Sequence, residues 1–162
     1  MKRNGFTLMG IILVIILLGI LGITFTIKFS GFAEVKLSSA ISKLASDIAY
    51  AQQLSLTTQL YHGISFDTVN EKYSLFCETT DNLIKDPYTG EDFIVDYTKG
   101  EFQGVNLHSV NIDGGREILF NWEGIPCNSA KTKIIIEATI TLEYEGRTKT
   151  LSVVAETGKV NW

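Results

Sequence analysis

Catalysis and metal binding need particular side chains at particular spacings, and this chain offers few of them. Its histidines are His62 and His108, two isolated positions, and neither G-x-S-x-G nor H-E-x-x-H occurs anywhere. Its cysteines are Cys77 and Cys127, which read either as one disulfide, possible in an oxidising compartment, or as two buried free thiols. The stretch "DNLIKDPYTGEDFIVD" carries Asp81, Asp86, Glu91, Asp92 and Asp96. Carboxylates at this density can gather round Ca²⁺, which accepts about six to eight oxygens in flexible geometry. The spacing fits no EF-hand loop, however, and "DPYTGED" is first of all a turn signature, so a solvated acidic loop is the plainer reading. The expectation is a non-enzyme without a cofactor, calcium at Asp81, Asp86, Glu91 and Asp92 being the weak exception.

The elements that must position these residues begin with an apolar run. Residues 5–27 contain no ionisable side chain; Lys2 and Arg3 precede them and Lys28 follows. As a helix those 23 residues would extend about 34 Å, enough to cross a hydrocarbon core of roughly 30 Å. The flanking cations place the N-terminus in the cytoplasm and everything beyond Lys28 across the membrane. A cleaved secretory signal has a shorter apolar core and an A-x-A-like site, and this run ends in "TFTIKFSGFAEVK". Past it, Leu37, Ile41, Leu44, Ile48 and Ala51 recur at spacings of three and four, one apolar stripe of a continuing helix. No proline falls between residues 6 and 60, so a single helix of unusual length is expected, His62 marking its junction with the first strand.

Beyond His62 the period becomes two. "HGISFD" and "EKYSLFCE" read as strands joined at Thr68–Asn70, and "REILFNWEG" as another. In "KIIIEATITLEYEGRTKTLSVV" the alternation begins at Ile134, and Glu145-Gly146 turns the chain into a hairpin. "ETGKVNW" adds a short last strand, while residues 79–115 read as a long loop with one or two edge strands. The fold class expected is α+β: a long N-terminal helix, its first half transmembrane, packed on antiparallel β-sheets. Leu37, Ile41, Leu44 and Ile48 should face Phe66, Leu75, Leu119, Ile136 and Ile140. Beyond residue 30 the chain has 11 basic against 18 acidic residues, a net charge of −7. That balance disfavours nucleic acid and anionic lipid as partners of the soluble part.

The opening "GFTL" behind a short basic leader resembles the signal of type IV prepilins and secretion pseudopilins. "ISKLASDIAYAQQLSLTTQLYHGISFDTVNEKYSLF", "ILFNWEGIPC" and "VVAETGKVNW" are similar, in order, to segments of the GspH/FimT-type minor pseudopilins. The resemblance implies cleavage by a prepilin peptidase between Gly5 and Phe6, with N-methylation of Phe6. It divides the chain into a leader (1–5), a transmembrane and filament-core helix (6–28), an amphipathic continuation (29–60) and a pilin-like globular β domain (61–162). Phe6, Leu8, Gly10, Leu13, Leu17, Gly19 and Gly22 would belong to the filament core. The implied function is a minor pseudopilin that initiates or caps a periplasmic pseudopilus for protein secretion, held in the inner membrane by one span before assembly. Its implied partners are other minor pseudopilins, the major pseudopilin, the peptidase, membrane lipid and an inner-membrane assembly platform. The alternatives are a minor type IV pilin used in adhesion or DNA uptake, and an anchored binding domain that never polymerises. One residue departs from the pattern: the family usually has glutamate where Gly10 stands, which implies either a place at the filament tip, the favoured reading, or insertion into the filament by hydrophobic packing alone.

Overall fold

The computed structural model describes residues 8–162, without the side chains of residues 22–31. The chain divides into two compact units, one ending at Val35 and one spanning Lys36–Trp162. A single helix, α1, runs Leu8–Thr58. It stops where Gln59 turns into the left-handed region at φ 60°, its N–H donating to Ser55 O at 3.0 Å. Just before that point the hydroxyls of Thr57 and Thr58 donate back to Gln53 and Leu54 carbonyls, a competition with the helical ladder that suits a terminus.

The unit from Lys36 contains the second part of α1 and ten strands. One sheet has the order β3-β2-β1-β6-β7, built from β1 (His62–Asp67), β2 (Lys72–Cys77), β3 (Thr79–Leu83), β6 (Glu117–Phe120) and β7 (Pro126–Cys127). β4 (Ile94–Asp96) also pairs with β2. The other sheet has the order β10-β9-β8-β5, from β5 (Asn106–Asn111), β8 (Ala138–Tyr144), β9 (Arg147–Val153) and β10 (Val160–Asn161). All pairings are antiparallel. Glu145 and Gly146, at φ 51° and 75°, close the β8–β9 hairpin, the positive-φ pair that matches strand twist.

One core joins the helix to both sheets. The stripe Leu37, Ile41, Leu44, Ile48 and Ala51 is buried with Ile64, Phe66, Tyr73, Leu75, Ile118 and Phe120 of the first sheet. Ala138, Ile140, Leu142, Leu151 and Val153 enter the same core from the second. Fully burying one such Leu or Ile contributes about 1.5–3 kcal/mol, so the stripe rather than helix propensity holds this part of α1 in place. At Gly63 the neighbouring strand comes so close that an added Cβ would collide with Ile118 O and Leu119 Cα.

Three sequence expectations need correction. The strand expected from Ile134 starts at Ala138, and Ile136 is exposed along with Ile135, only Ile134 being buried. The reason is that Lys133 still bridges Cys127 of the first sheet and Ile134 N–H donates to Pro126 O, so the isoleucine run crosses between sheets before alternation begins. Leu119 is buried, but with Phe76 and Cys127 in a small separate cluster, because Ile118 and Phe120 take the core side of β6. Residues 79–115 hold three strands rather than a loop with one or two, β3 and β4 sharing an edge of β2 and β5 forming an edge of the second sheet.

Candidate functional site

The residues with potential chemistry are dispersed. His62 is buried at the start of β1, where its backbone N–H donates to Ser55 Oγ at 3.1 Å. Its Nδ1 lies 3.3 Å from Leu60 O and 3.4 Å from Thr58 Oγ1, which makes it a joint between the helix end and the sheet. His108 is on the edge strand β5 and exposed. Cys77 and Cys127 are free thiols. They sit on β2 and β7 with β1 and β6 between them, about 14 Å apart at normal strand spacing, well outside disulfide reach. The disulfide reading is thereby corrected. Burial pushes both thiols up from the ordinary cysteine value, which keeps them protonated and poorly nucleophilic.

The acidic loop does not gather. Asp92 pairs with Lys85 at 2.7 Å and Asp96 with Lys99 at 2.9 Å, while Asp86 Oδ1 accepts the N–H of Tyr88. Asp81 is exposed on β3 and Glu91 is exposed in the turn before β4. Among the described residues no three His, Cys, Asp or Glu side chains come together as a metal cage.

What the strands do bring together are two glycine turns, on one glutamine of α1. Gln52 Nε2 donates to Gly124 O at 2.7 Å and to Thr157 O at 3.0 Å. Gly124 is in "EGIPC" and Gly158 in "ETGKV", at φ 75° and 68°. A Cβ on Gly158 would lie 2.5 Å from Gln52 Nε2 and 3.0 Å from Gly124 O; one on Gly124 would press on Leu56 at 3.2 Å. Both turns therefore need glycine for backbone conformation and for close approach.

A second cluster was invisible in the sequence. Asp47 is buried in α1, holding Lys43 Nζ at 2.6 Å and accepting the Tyr73 hydroxyl at 2.6 Å. Burial pushes the Asp47 carboxyl up from its ordinary value, while the hydrogen bonds from Lys43 and Tyr73 pull it back. Tyr97 packs against the Tyr73 ring, and its own buried hydroxyl has no hydrogen-bond partner among the described residues. Nothing in the spacing of Asp47, Tyr73 and Tyr97 signals that they meet, because the juxtaposition depends on the helix-to-sheet crossing.

The remaining candidate is the surface of α1 before Val35. Between Leu8 and Leu21 every side chain is exposed, around the whole circumference, and Gly10 is half-buried. Leu8, Leu13, Leu17 and Gly19 lie on this stretch, and a Cβ added at Gly19 would meet nothing within 4 Å. Gly5 and Phe6 lie outside the described residues, as do the surroundings of Gly22. Among the described residues no helix is long and apolar enough to cross a membrane; the expected span 6–28 begins before them, and the side chains of its residues 22–28 are not described.

No protein-family model and no curated protein matches this sequence. Solved structures do match in fold. The minor pseudopilin EpsH from the type 2 secretion system of Vibrio cholerae superposes with a TM-score of 0.55 at 9% identity, over 78% of this chain and 94% of that one. The type IV minor pilin FimU of Pseudomonas aeruginosa does so with a TM-score of 0.51 at 16% identity, over 77% of this chain and 90% of that one. A long helix feeding two antiparallel sheets, with its stripe in their common core, is thus the GspH/FimT-type pilin-like fold.

Proposed function

We propose that this chain is a minor subunit of a pilin-like filament, a pseudopilin that helps initiate or cap a periplasmic assembly used in protein secretion. The observation that carries the reading is the all-round apolar surface of α1 from Leu8 to Leu21 on a chain with this fold. Two environments tolerate such a surface, lipid and the interior of a helix bundle, and a filament subunit uses them in turn. In lipid the helix satisfies its own backbone hydrogen bonds. After extraction, copies of it from successive subunits bury one another's side chains in a head-to-tail helical polymer. Processing at Gly5–Phe6, methylation of Phe6, storage in the inner membrane and extraction by an assembly platform complete the proposal. Its partners are then other minor pseudopilins and the major one.

Gly10 supports a place at the filament tip. A carboxylate at the centre of a membrane helix costs about 2.5–3.5 kcal/mol, tolerable where it pairs with the N-terminus of a neighbouring subunit. A chain with glycine there forgoes that pairing, as suits a subunit at the tip. Two substitutions test the proposal in cells. Leu13→Lys should leave the unit from Lys36 folded but remove the protein from sheared filaments. Gly10→Glu should not improve incorporation along the shaft; improved shaft incorporation with initiation intact would rule out the tip position.

A further inference from the structure

The unit from Lys36 contains a cleft of about 400 Å³ between α1 and the turn that joins β3 to β4. Lys43, Asp47, Tyr50, Asp86, Tyr88 and Phe93 line it. Its floor is aromatic: Tyr50 and Phe93 stack with centroids 6.1 Å apart. Its rim carries Tyr88, which is 97% exposed on a hydrogen-bonded turn. The Tyr88 N–H donates to Asp86 Oδ1 at 2.7 Å and Gly90 N–H to Asp86 O at 2.8 Å, and Pro87 fixes the turn between them. A bare tyrosine on an ordered turn beside a half-open aromatic cleft has the character of an interface anchor.

The charges identify what the cleft accepts. Lys43 is already committed, paired to Asp47 at 2.6 Å and lying 4.9 Å over the Phe93 ring. Lys85, next in sequence, is paired to Asp92. Among the described residues no cation pairs with Asp86, so two carboxylates face one ammonium and the site is short of one positive charge. Its own Lys43 shows that a cation over these rings is accommodated. Of the two basic side chains, the flat guanidinium both stacks on a tyrosine face and pairs with a carboxylate through two hydrogen bonds. The cleft is several times larger than a guanidinium and has room for neighbouring residues.

We infer that this cleft is a docking site for an arginine-bearing segment of another protein, the guanidinium lying against Tyr88 and paired to Asp86 while its neighbours rest on Tyr50 and Phe93. The net charge of −7 beyond residue 30 favours approach of such a partner. The inference does not depend on the filament reading, since any cationic partner of this chain would meet the same cleft.

The test uses the full chain in zwitterionic detergent micelles, followed by NMR. The probe is the blocked tripeptide acetyl-Ala-Arg-Ala-amide, and the control is the same peptide with citrulline, which keeps the shape and removes the charge. Saturable shifts at Tyr50, Asp86, Tyr88 and Phe93 are expected with the arginine peptide. Apparent affinity should fall about tenfold with citrulline, with Tyr88→Ser and with Asp86→Asn. Both variants are expected to fold, because Tyr88 is exposed and asparagine retains the oxygen that accepts the Tyr88 N–H. Equal binding of the citrulline peptide, undiminished binding by both variants, or no saturable shift overturns the inference. So does the same set of shifts on raising the protein concentration without peptide, which would make the occupant a second copy of this chain.

Discussion

Gln52 is the side chain on which the most separate parts of the domain depend. It satisfies carbonyls in two turns that are far apart in sequence, and each turn contributes a glycine that lets it come close. Gln52→Ala removes two hydrogen bonds, a part-buried one to Gly124 O and an exposed one to Thr157 O, and should cost about 1–3 kcal/mol in chemical denaturation. Gly158→Ala adds a methyl group against Gln52 and Gly124 at a positive φ; a loss of at least about 2 kcal/mol is expected, left-handed strain alone accounting for roughly 1–2. Gly90, also at positive φ but with open space around it, is the control, and Gly90→Ala should show the strain alone. Acid stability also belongs to single residues. Hydrogen bonds from Thr98 and Lys99 hold Asp96 down at about 2, and Asp67, Glu78 and Glu143 are held below their ordinary values by their own donors. A depressed folded-state value means stability that is present above the unfolded value and lost as pH falls through the folded one. The denaturation midpoint should therefore fall as pH drops from about 4.5 towards 2, and Asp96→Asn should flatten the lower end of that fall.

At the scale of elements, the two parts of α1 obey different rules. From Lys36 onward an apolar stripe is buried in a core shared by two sheets; between Leu8 and Leu21 the side chains are apolar on every face. Leu44→Ala should cost about 2–5 kcal/mol of domain stability, whereas Leu13→Ala should leave the unfolding midpoint of that domain unchanged. This division was readable in the sequence, because a change from uninterrupted apolar residues to a spacing of three and four is a local signal. So were the β1–β2 and β8–β9 hairpins, whose turns and alternation lie within a few residues of each other. What escaped depends on contacts between distant segments. The isoleucines at 134–136 satisfy the strand pattern by type, but the chain is changing sheets there. Leu119 and Phe120 have interchangeable propensities, and the pairing of β6 with β1 decides which faces the helix. The Asp47–Tyr73 bond and the cleft beneath Tyr88 exist through tertiary placement alone.

For the whole molecule, the pilin-like fold and the apolar start of α1 explain each other. A domain stabilised by its own core has no structural use for an apolar helical extension, so the extension serves something outside the domain. Lipid and a bundle of like helices both fit, and the proposed cleavage between Gly5 and Phe6 would link the two in the order that filament assembly requires. The most direct test is the intact N-terminal mass of the protein purified from its native membrane. A chain beginning at N-methylated Phe6 is the expected result and establishes the processing that precedes assembly. A chain still beginning at Met1 would contradict it, leaving the apolar run as an anchor alone, and a chain beginning beyond Lys28 would exclude the filament altogether.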